Sequence, residues 1–360
     1  MKNILNKWKK LAFIMITAGA VLFAISFLLG ARGGYIYFGG GGLKIIPAGD
    51  DVVIREIEIE PFDSVEIIAG SADIELVASD RYGIELRLPS GVSEPSWDIT
   101  DGKLTINALS NDHIISFMDF GLMSPHYIRI YYPNSGGSTA IGGAPGEGKQ
   151  GMTLKSVDLN TRSGEILLSN VSAENISLKS GSGGVRTDVS YYRHAFAQTS
   201  SGNITFNGNG DDAGLELSAR SGRIIADASG CSEATVSTSS GNISLSGRTL
   251  PNAQLRVLTR SGSAGVDVSA WQTLAVEATS GNIRITGEPF GATSAISRSG
   301  DVIMTLRGIE SSFSYDISTG SGSIRLGGQR LGSPARSVTG ETGKMINARA
   351  SSGNIRVDFN

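Results

Sequence analysis

A Ser-Gly dipeptide recurs along the C-terminal part of the chain, and this repeat limits the possible folds more than any other sequence feature. The dipeptide begins at ten serines, spaced by about 20 residues in most cases: Ser163, Ser182, Ser201, Ser221, Ser240, Ser261, Ser280, Ser299, Ser321 and Ser352. The last interval is longer and holds one further degenerate copy around Thr342. A fixed period of this size is the signature of a repeat architecture, in which each unit packs against its neighbours.

Apolar and polar residues alternate on both sides of each dipeptide. At Ser280, Leu274 and Val276 precede the turn, and Ile283 and Ile285 follow it. A period of two indicates short strands with one apolar face, and a single strand pair cannot bury such a face alone. The sequence therefore predicts an all-β fold, a parallel β-solenoid (β-helix) of about ten coils of about 20 residues each.

Glycine is predicted to form the turn itself, because it accepts a positive φ without steric cost. The predicted structural turn residues are Gly164, Gly183, Gly202, Gly222, Gly241, Gly262, Gly281, Gly300, Gly322 and Gly353. The serine before each glycine offers a hydroxyl to a backbone group at the corner. The residue two positions before the serine is always Thr, Ser or Ala, which leaves room for the bend. The asparagines that follow some of the turns are candidates for a stacked amide ladder.

A second pattern leaves the length of the coil open. Four turns read Arg-Ser-Gly, with Arg162, Arg220, Arg260 and Arg298. Three of them are followed by an apolar residue at an outward position: Leu167, Ile225 and Ile303. A coil of about 40 residues would gather these three into an outer apolar stripe, whereas a coil of about 20 residues would separate the turn arginines by two coils, near 10 Å. We favour the shorter coil.

The first thirty residues predict a membrane anchor. The segment from Leu11 to Gly30 contains no charged residue, and as a helix it spans a hydrocarbon layer of about 30 Å. Lysines precede it at Lys2, Lys7, Lys9 and Lys10, which places the N-terminus in the cytoplasm. A cleaved signal peptide, with its site near Ala18–Ala20, is the alternative. Both interpretations put the repeats outside the cytoplasm.

The predicted organisation has six parts. Residues 1–10 form a cytoplasmic tail, 11–30 a single transmembrane anchor, 31–50 a Gly-rich stalk, 51–135 a β-rich capping segment, 136–150 a Gly/Pro linker and 151–360 the repeat solenoid. The capping segment alternates like the repeats but lacks the Ser-Gly register. A solenoid needs an atypical unit over its open end, and this segment is placed to supply it.

Composition and motifs predict no catalytic, cofactor-binding or metal-binding residue. The net charge of −3 gives no basic face for nucleic acid. The three histidines form no metal motif, and the single cysteine, Cys231, cannot form an intramolecular disulfide. Gly143–Lys149 has the spacing of a phosphate-binding loop, but Gln150 replaces the required Ser or Thr and a strand follows instead of a helix. No small-molecule substrate is evident.

Three arginines form the predicted contact surface. Arg284, Arg325 and Arg356 share the outward position four residues after the turn serine, in the part of the chain farthest in sequence from the anchor. We expect this surface patch to bind an anionic envelope polymer or another envelope protein through charge-assisted hydrogen bonds. A solvated face that only aids solubility is the alternative.

The order of these parts resembles a bacterial "putative adhesin" family, a β-strand-repeat domain of unknown function. The resemblance rests on the lysine-led anchor, on "DGKLTI" at Asp101–Ile106, on "IRIYYP" at Ile128–Pro133 and on the serial Ser-Gly turns. It implies an extracytoplasmic β-solenoid of the bacterial envelope and carries no catalytic residue.

We therefore expect a non-catalytic, membrane-anchored surface protein that binds or scaffolds at the envelope. An accessory protein of envelope-stress signalling is one alternative. A β-helix enzyme acting on polysaccharide is another, and it would require a groove in which carboxylates converge from adjacent coils.

Overall fold

The computed structural model describes part of the chain: Met15, Thr17, Val21 and residues 34–39, 42–47, 51–89, 95–109, 113–117, 126–134, 152–337 and 343–360. Nearly all of the predicted anchor, the predicted linker and Thr342 lie outside these residues. No helix formed by the described residues combines the length and the apolar character needed to cross a membrane. The chain divides into two compact units. The first contains Met1–Val52, Leu88–Val92 and Ser110–Pro125, and the second Val53–Arg87, Ser93–Leu109 and His126–Asn360.

From Gly34 onward, the regular elements of the described residues are β-strands and one short 3-10 helix at Glu310–Ser312. In chain order the strands are β1 Gly34–Gly39, β2 Gly42–Pro47, β3 Asp51–Ile57, β4 Ser64–Ala69, β5 Asp73–Ser79, β6 Gly83–Pro89, β7 Ser96–Thr100, β8 Lys103–Ala108, β9 His113–Phe117, β10 Tyr127–Pro133, β11 Leu154–Thr161, β12 Ile166–Ser180, β13 Val185–Thr199, β14 Ile204–Ser221, β15 Ile224–Asp227, β16 Cys231–Ser240, β17 Ile243–Gly247, β18 Gln254–Ser261, β19 Ala264–Ser280, β20 Ile283–Ser299, β21 Val302–Leu306, β22 Ser314–Ser321, β23 Ile324–Leu326, β24 Gln329–Leu331, β25 Ala335–Ser337, β26 Met345–Ser352 and β27 Ile355–Phe359.

The first unit contains a three-stranded antiparallel sheet in the order β2-β1-β9. Strands β1 and β2 lie within the segment predicted as a flexible stalk, and they pair as a hairpin that closes between Gly39 and Gly42. The aromatic and β-branched residues of this segment favour extended structure. Strand β9 belongs to the segment predicted as a cap, and here it pairs with β1.

The second unit is a solenoid in which each coil contributes two strands. We call the side formed by the strands before the turns the pre-turn face: β8, β4, β11, the C-terminal parts of β12, β13 and β14, then β16, β18, the C-terminal parts of β19 and β20, β26 and β22. The post-turn face holds the strands after the turns: β10, β5, the N-terminal parts of β12, β13 and β14, then β15, β17, the N-terminal parts of β19 and β20, β21, β27 and β23. Most neighbours within a face are parallel. The all-β solenoid predicted from the sequence is confirmed.

The register of the strands decides between the two coil lengths. Ile176 pairs with Ala195, which pairs with Leu215. Hydrogen bonds between neighbouring coils join positions 19, 20 or 21 apart in sequence. The coil therefore has about 20 residues. The outer apolar stripe of the longer coil does not form, because Ile225 is flanked by Thr205 and Ser244 on the adjacent strands.

The core lies between the two faces and is filled by the apolar residues of the alternating pattern. Leu217, Val236 and Val257 on neighbouring strands are fully buried. The corner opposite the turns holds larger side chains, among them Tyr192 and Trp271. The indole N–H of Trp271 donates a hydrogen bond to Thr293 Oγ1 at 2.9 Å, so its polar atom is satisfied inside the core.

The repeat begins earlier than the Ser-Gly pattern indicates. Strand β4 pairs in parallel with β11, and β5 pairs in parallel with β12, in the register of the later coils. The turn between β4 and β5 contains Ser71 and Ala72, so alanine stands where the other turns have glycine. Part of the segment predicted as a cap is therefore a coil of the solenoid. The Ser-Gly pattern does not show this coil, because its turn has Ala72 in place of glycine.

The last coil in sequence is not the last coil in space. Strand β26 lies between β20 and β22, and β27 lies between β21 and β23. The C-terminal residues are thus inserted between two coils that precede them in the chain, contrary to the sequential stacking that the repeat predicts.

The chain reverses direction in the long interval before this inserted coil. Strand β24 pairs antiparallel with β23, and β25 pairs antiparallel with β22. These two short strands cover the end of the solenoid farthest from β8 along the stack. Antiparallel additions of this kind end the stacking, because they interrupt the repeated parallel register.

Candidate functional site

The ten predicted turn glycines lie in one stack, with Ala72 at its beginning. A Cβ on Gly241 would overlap the carbonyl oxygen of Gly222 in the turn below, and the same relationship recurs at the other nine. The order of the stack follows the inserted coil, since Gly353 lies against Gly300 and Gly322 lies against Gly353.

Close approach explains the glycines better than φ alone. Gly241, Gly262, Gly281, Gly300 and Gly353 have φ between 145° and 153°, a range that disfavours side chains. The other five turn glycines have φ outside the positive range, yet their Cβ positions are equally blocked by backbone. In all ten turns glycine is required because a Cβ would overlap the backbone of the neighbouring turn. In five of them the positive φ is a second reason for glycine.

The hydroxyl that stabilises the turn belongs to the residue two positions before the serine. Thr199 Oγ1 donates to the carbonyl oxygen of Gly183 at 3.0 Å and accepts from the N–H of Gly202 at 3.0 Å. Buried hydroxyls make the same bond to a neighbouring turn at Thr161, Ser180, Thr238, Thr259, Ser297 and Thr319. The sequence showed a small residue at this position, and the recurrence of Thr and Ser there was the available signal for a hydrogen bond.

The asparagines after the turns bond to backbone rather than to each other. Asn242 Oδ1 accepts from the N–H of Ser263 at 2.9 Å, and Asn282 Oδ1 accepts from the N–H of Asp301 at 2.9 Å. The predicted amide ladder does not form because asparagines occupy alternate coils. Hydrogen bonds from side chains to backbone thus connect neighbouring turns along this edge.

The single cysteine is part of the core. Cys231 is fully buried, and its Sγ lies 3.1 Å from the hydroxyl of Tyr192. Burial raises the pKa of the Cys231 thiol to about 11, so the reactive thiolate is disfavoured at neutral pH. In the described part of the chain, no three His, Cys, Asp or Glu side chains are grouped to hold a metal ion.

Two of the three predicted arginines, Arg325 and Arg356, lie on neighbouring strands, and a further arginine, Arg330, lies beside them. Arg356 is the register partner of Arg325 on the neighbouring strand, and Arg325 pairs with Arg330 across the antiparallel β23–β24 pair. We call Arg356, Arg325 and Arg330 the arginine ladder. Arg284 lies two strands from Arg356, with Ile303 between them. Sequence reasoning missed Arg330 because β24 lies outside the repeat register.

The charges of the ladder are only partly neutralised. Arg356 Nε lies 2.6 Å from Asp358 Oδ2. Within the described ranges, Arg325, Arg330 and Arg284 form no ion pair, and all three are exposed. Like charges on adjacent strands destabilise a sheet, so the ladder carries uncompensated repulsion between its guanidinium groups.

At the opposite end of the post-turn face, two carboxylates balance the charge of Arg129. Arg129 Nε lies 2.6 Å from Glu75 Oε2, and Arg129 Nη1 lies 3.6 Å from Glu85 Oε2. Burial raises the pKa of Glu85, but hydrogen bonds from Tyr127 and Tyr131 and the charge of Arg129 outweigh it and hold the pKa below its ordinary value. Compared with this network, the three residues of the arginine ladder share one ion pair within the described residues, between Arg356 and Asp358.

A groove of about 460 Å³ lies on the outer side of the pre-turn face, across strands β11 to β16. Its lining includes Asp158, Phe196, Glu216 and Glu233. Glu216 and Glu233 come from neighbouring strands, because Glu216 pairs with Thr235 two residues beyond Glu233. We refer to it as the acidic groove.

The sequence matches a described family over most of its length. Residues 55–224 and, in a second match, residues 193–358 correspond to Toastrack DUF4097. The chain belongs to this family. The Toastrack match begins before the first Ser-Gly turn, as the coil formed by β4 and β5 requires. The resemblance stated from the sequence is thereby confirmed.

The solved structures that match the chain include two described as putative adhesins. The one from Bacteroides fragilis is 10% identical, with 88% of the Toastrack chain and 100% of its own covered and a TM-score of 0.35. The one from Parabacteroides distasonis is 10% identical, with 86% and 97% covered and a TM-score of 0.42. A putative lipid binding protein from P. distasonis is 16% identical, with 86% and 97% covered and a TM-score of 0.37. A comparison with curated proteins found no match.

Proposed function

We propose that this Toastrack protein is a non-catalytic binding or scaffold protein of the bacterial envelope, whose arginine ladder contacts an anionic polymer. The observation that carries the proposal is the assembly of Arg356, Arg325 and Arg330 on three adjacent strands, with one carboxylate among the described residues to balance them. Neighbouring strands lie about 4.8 Å apart, so the guanidinium groups form a row that suits a chain of phosphate or carboxylate groups.

The proposal places the solenoid outside the cytoplasm. The uncharged segment from Leu11 to Gly30 would anchor the chain as a single-pass helix, and the lysines before it favour a cytoplasmic N-terminus. An epitope tag after Asn360 should be accessible to antibody on intact, wall-stripped cells, whereas a tag before Met1 should require permeabilisation. Protection of the C-terminal tag would contradict this topology.

The enzyme alternative is weaker, although the acidic groove supplies two carboxylates from adjacent coils. Glu216 and Glu233 are both exposed. Acid–base catalysis on polysaccharides depends on environments that keep one carboxyl protonated and the other ionised, and burial is the usual cause. An open face with two solvated carboxylates supports binding rather than bond cleavage.

Binding to purified anionic wall polymer tests the function. The full-length protein in non-ionic detergent should bind the polymer, and the affinity should fall steeply as salt rises, because exposed ionic contacts are screened. Changing Arg325, Arg330 and Arg356 together to serine should weaken binding by about tenfold or more.

The matched control changes the three turn arginines Arg162, Arg220 and Arg260 to serine, which removes the same charge from exposed positions elsewhere on the solenoid. Equal losses in the two variants would mean that net charge alone drives binding. Binding that is independent of salt, or no binding, would overturn the proposed function.

A further inference from the structure

The acidic groove is a depression in a sheet face that is otherwise filled by outward side chains. Gly214 leaves a gap in the row of outward residues, between His194 and Glu233 on the adjacent strands. A Cβ at Gly214 would lie 3.3 Å from His194 Nδ1, so the histidine ring leans over the glycine. The floor is firm, because Ala195 and Leu215 beneath it are buried core residues.

An aromatic ring stands at the centre of this depression. Phe196 is half-buried on the outer face, and its register partners are Ser177 on one side and Glu216 on the other. The ammonium group of Lys179 lies 5.7 Å from the ring centroid. An aromatic side chain on an otherwise polar strand face is not needed for the core, and its ring offers an apolar platform that also attracts cations.

Carboxylates surround the ring and are not neutralised within the described chain. Asp158, Glu216 and Glu233 are exposed, and none of them forms an ion pair with a described residue. Two of the nearby lysines are paired elsewhere, since Lys103 Nζ lies 2.5 Å from Glu66 Oε2 and Lys155 Nζ lies 2.6 Å from Asp63 Oδ2. Among the described residues, the ammonium group of Lys179 over the ring is thus the one lysine charge set against the three carboxylates. The groove therefore combines an apolar platform with acceptors of net negative charge.

We propose that the acidic groove is a binding site for a saccharide that carries free amino groups. The apolar C–H face of a pyranose ring would stack on Phe196, while Glu216, Glu233 and Asp158 would accept hydrogen bonds from its hydroxyl and ammonium groups. A volume of about 460 Å³ accommodates two to three sugar rings. The site lies on the pre-turn face and has the opposite charge to the arginine ladder, so it is independent of the polymer contact proposed above.

Binding of a fully deacetylated glucosamine oligomer to the full-length protein in non-ionic detergent tests the site. Titration calorimetry should show saturable binding that Phe196→Leu weakens by roughly tenfold, and that Glu216→Gln combined with Glu233→Gln weakens by at least as much. The matched controls are Phe290→Leu, an exposed ring that also has a lysine over it, and Glu277→Gln, an exposed outward carboxylate of the same face. Both controls should leave the affinity unchanged.

Two further probes separate the contribution of the sugar ring to binding from that of the positive charge. The N-acetylated oligomer has the ring face without the positive charge, and oligolysine has the charge without the ring, so each should bind at least about tenfold more weakly. Equal binding of oligolysine, equal binding of the acetylated oligomer, insensitivity to Phe196→Leu, or no binding would overturn the proposal. Cleavage of the glucosamine oligomer would overturn the non-catalytic function while leaving the saccharide site in place.

Discussion

The hydroxyl of Thr199 and the carbonyl oxygen of Gly183 are 3.0 Å apart, and this bond joins one turn of the stack to its neighbour. Thr199 is buried and Gly183 is half-buried, so water has little access to the hydroxyl if the bond is broken. The turn stack is therefore held by a repeated side-chain bond in addition to the ladder hydrogen bonds of the strands.

Thr199→Val should lower the free energy of unfolding by about 1–3 kcal/mol, because it keeps the side-chain shape and leaves the carbonyl of Gly183 and the N–H of Gly202 without their partner. Thr199→Ser keeps the hydroxyl and should cost less. Denaturant unfolding of the two variants measures the difference. If valine and serine are equivalent, the hydroxyl does not stabilise the turn.

Gly241→Ala should destabilise the solenoid by more than about 1 kcal/mol, because the added Cβ meets the carbonyl oxygen of Gly222 and φ is 153°. Gly332→Ala is the matched control, since nothing lies within 4 Å of its Cβ position. Thermal unfolding should separate the two variants by several degrees. A similar midpoint for both would show that the turn yields at low cost.

The pH dependence of stability should include a contribution from Glu85. Its pKa is lowered in the folded state, so its interactions with Tyr127, Tyr131 and Arg129 stabilise the fold above the unfolded pKa and are lost as pH falls through the folded value. The stability difference between the wild type and Glu85→Gln should therefore shrink on acidification from about pH 5 to pH 3. A difference that stays constant across this window would contradict the assignment.

The C-terminal coil should exchange its amide hydrogens slowly. Ile346 and Ala348 lie on a strand bonded on both sides, to β20 and β22, whereas Gln329 and Leu331 are on the short strand β24 at the end of the stack. Hydrogen exchange followed by mass spectrometry should show residues 346–350 protected like β20 and residues 329–331 exchanging faster. Rapid exchange of residues 346–350, as at an ordinary chain end, would contradict the inserted position.

The alternating pattern and the turn spacing were sufficient to predict the solenoid and the stacking of its turns. The pattern could not reveal the coil at Ala72, because alanine stands there in place of the turn glycine that defines the repeat. The order of the last coils was also hidden, since β22 and β26 carry the same pattern and either fits next to β20.

The residues of the two candidate sites differ in how far the repeat pattern of the sequence could predict them. Arg325 and Arg356 could be found because they occupy the same position of the repeat, and the inserted coil then made them neighbours. Arg330 comes from a strand of reversed direction, where the repeat gives no position. The acidic groove depends on which outward residues become neighbours across strands, such as Phe196 and Gly214, and this requires the register.

The position of the C-terminal coil determines the order in which the distal coils can assemble during synthesis of the chain. A chain that emerges from its N-terminus first can add each coil to the previous one as soon as it appears, up to β20 and β21. The strands β22 and β23 can pair with β25 and β24 at once, but they contact the finished stack through β26 and β27, so they join it after Met345–Phe359 has also emerged. Completion of the distal end, and with it the row of arginines, thus waits for residues 345–359, although Arg325 and Arg330 are synthesised earlier.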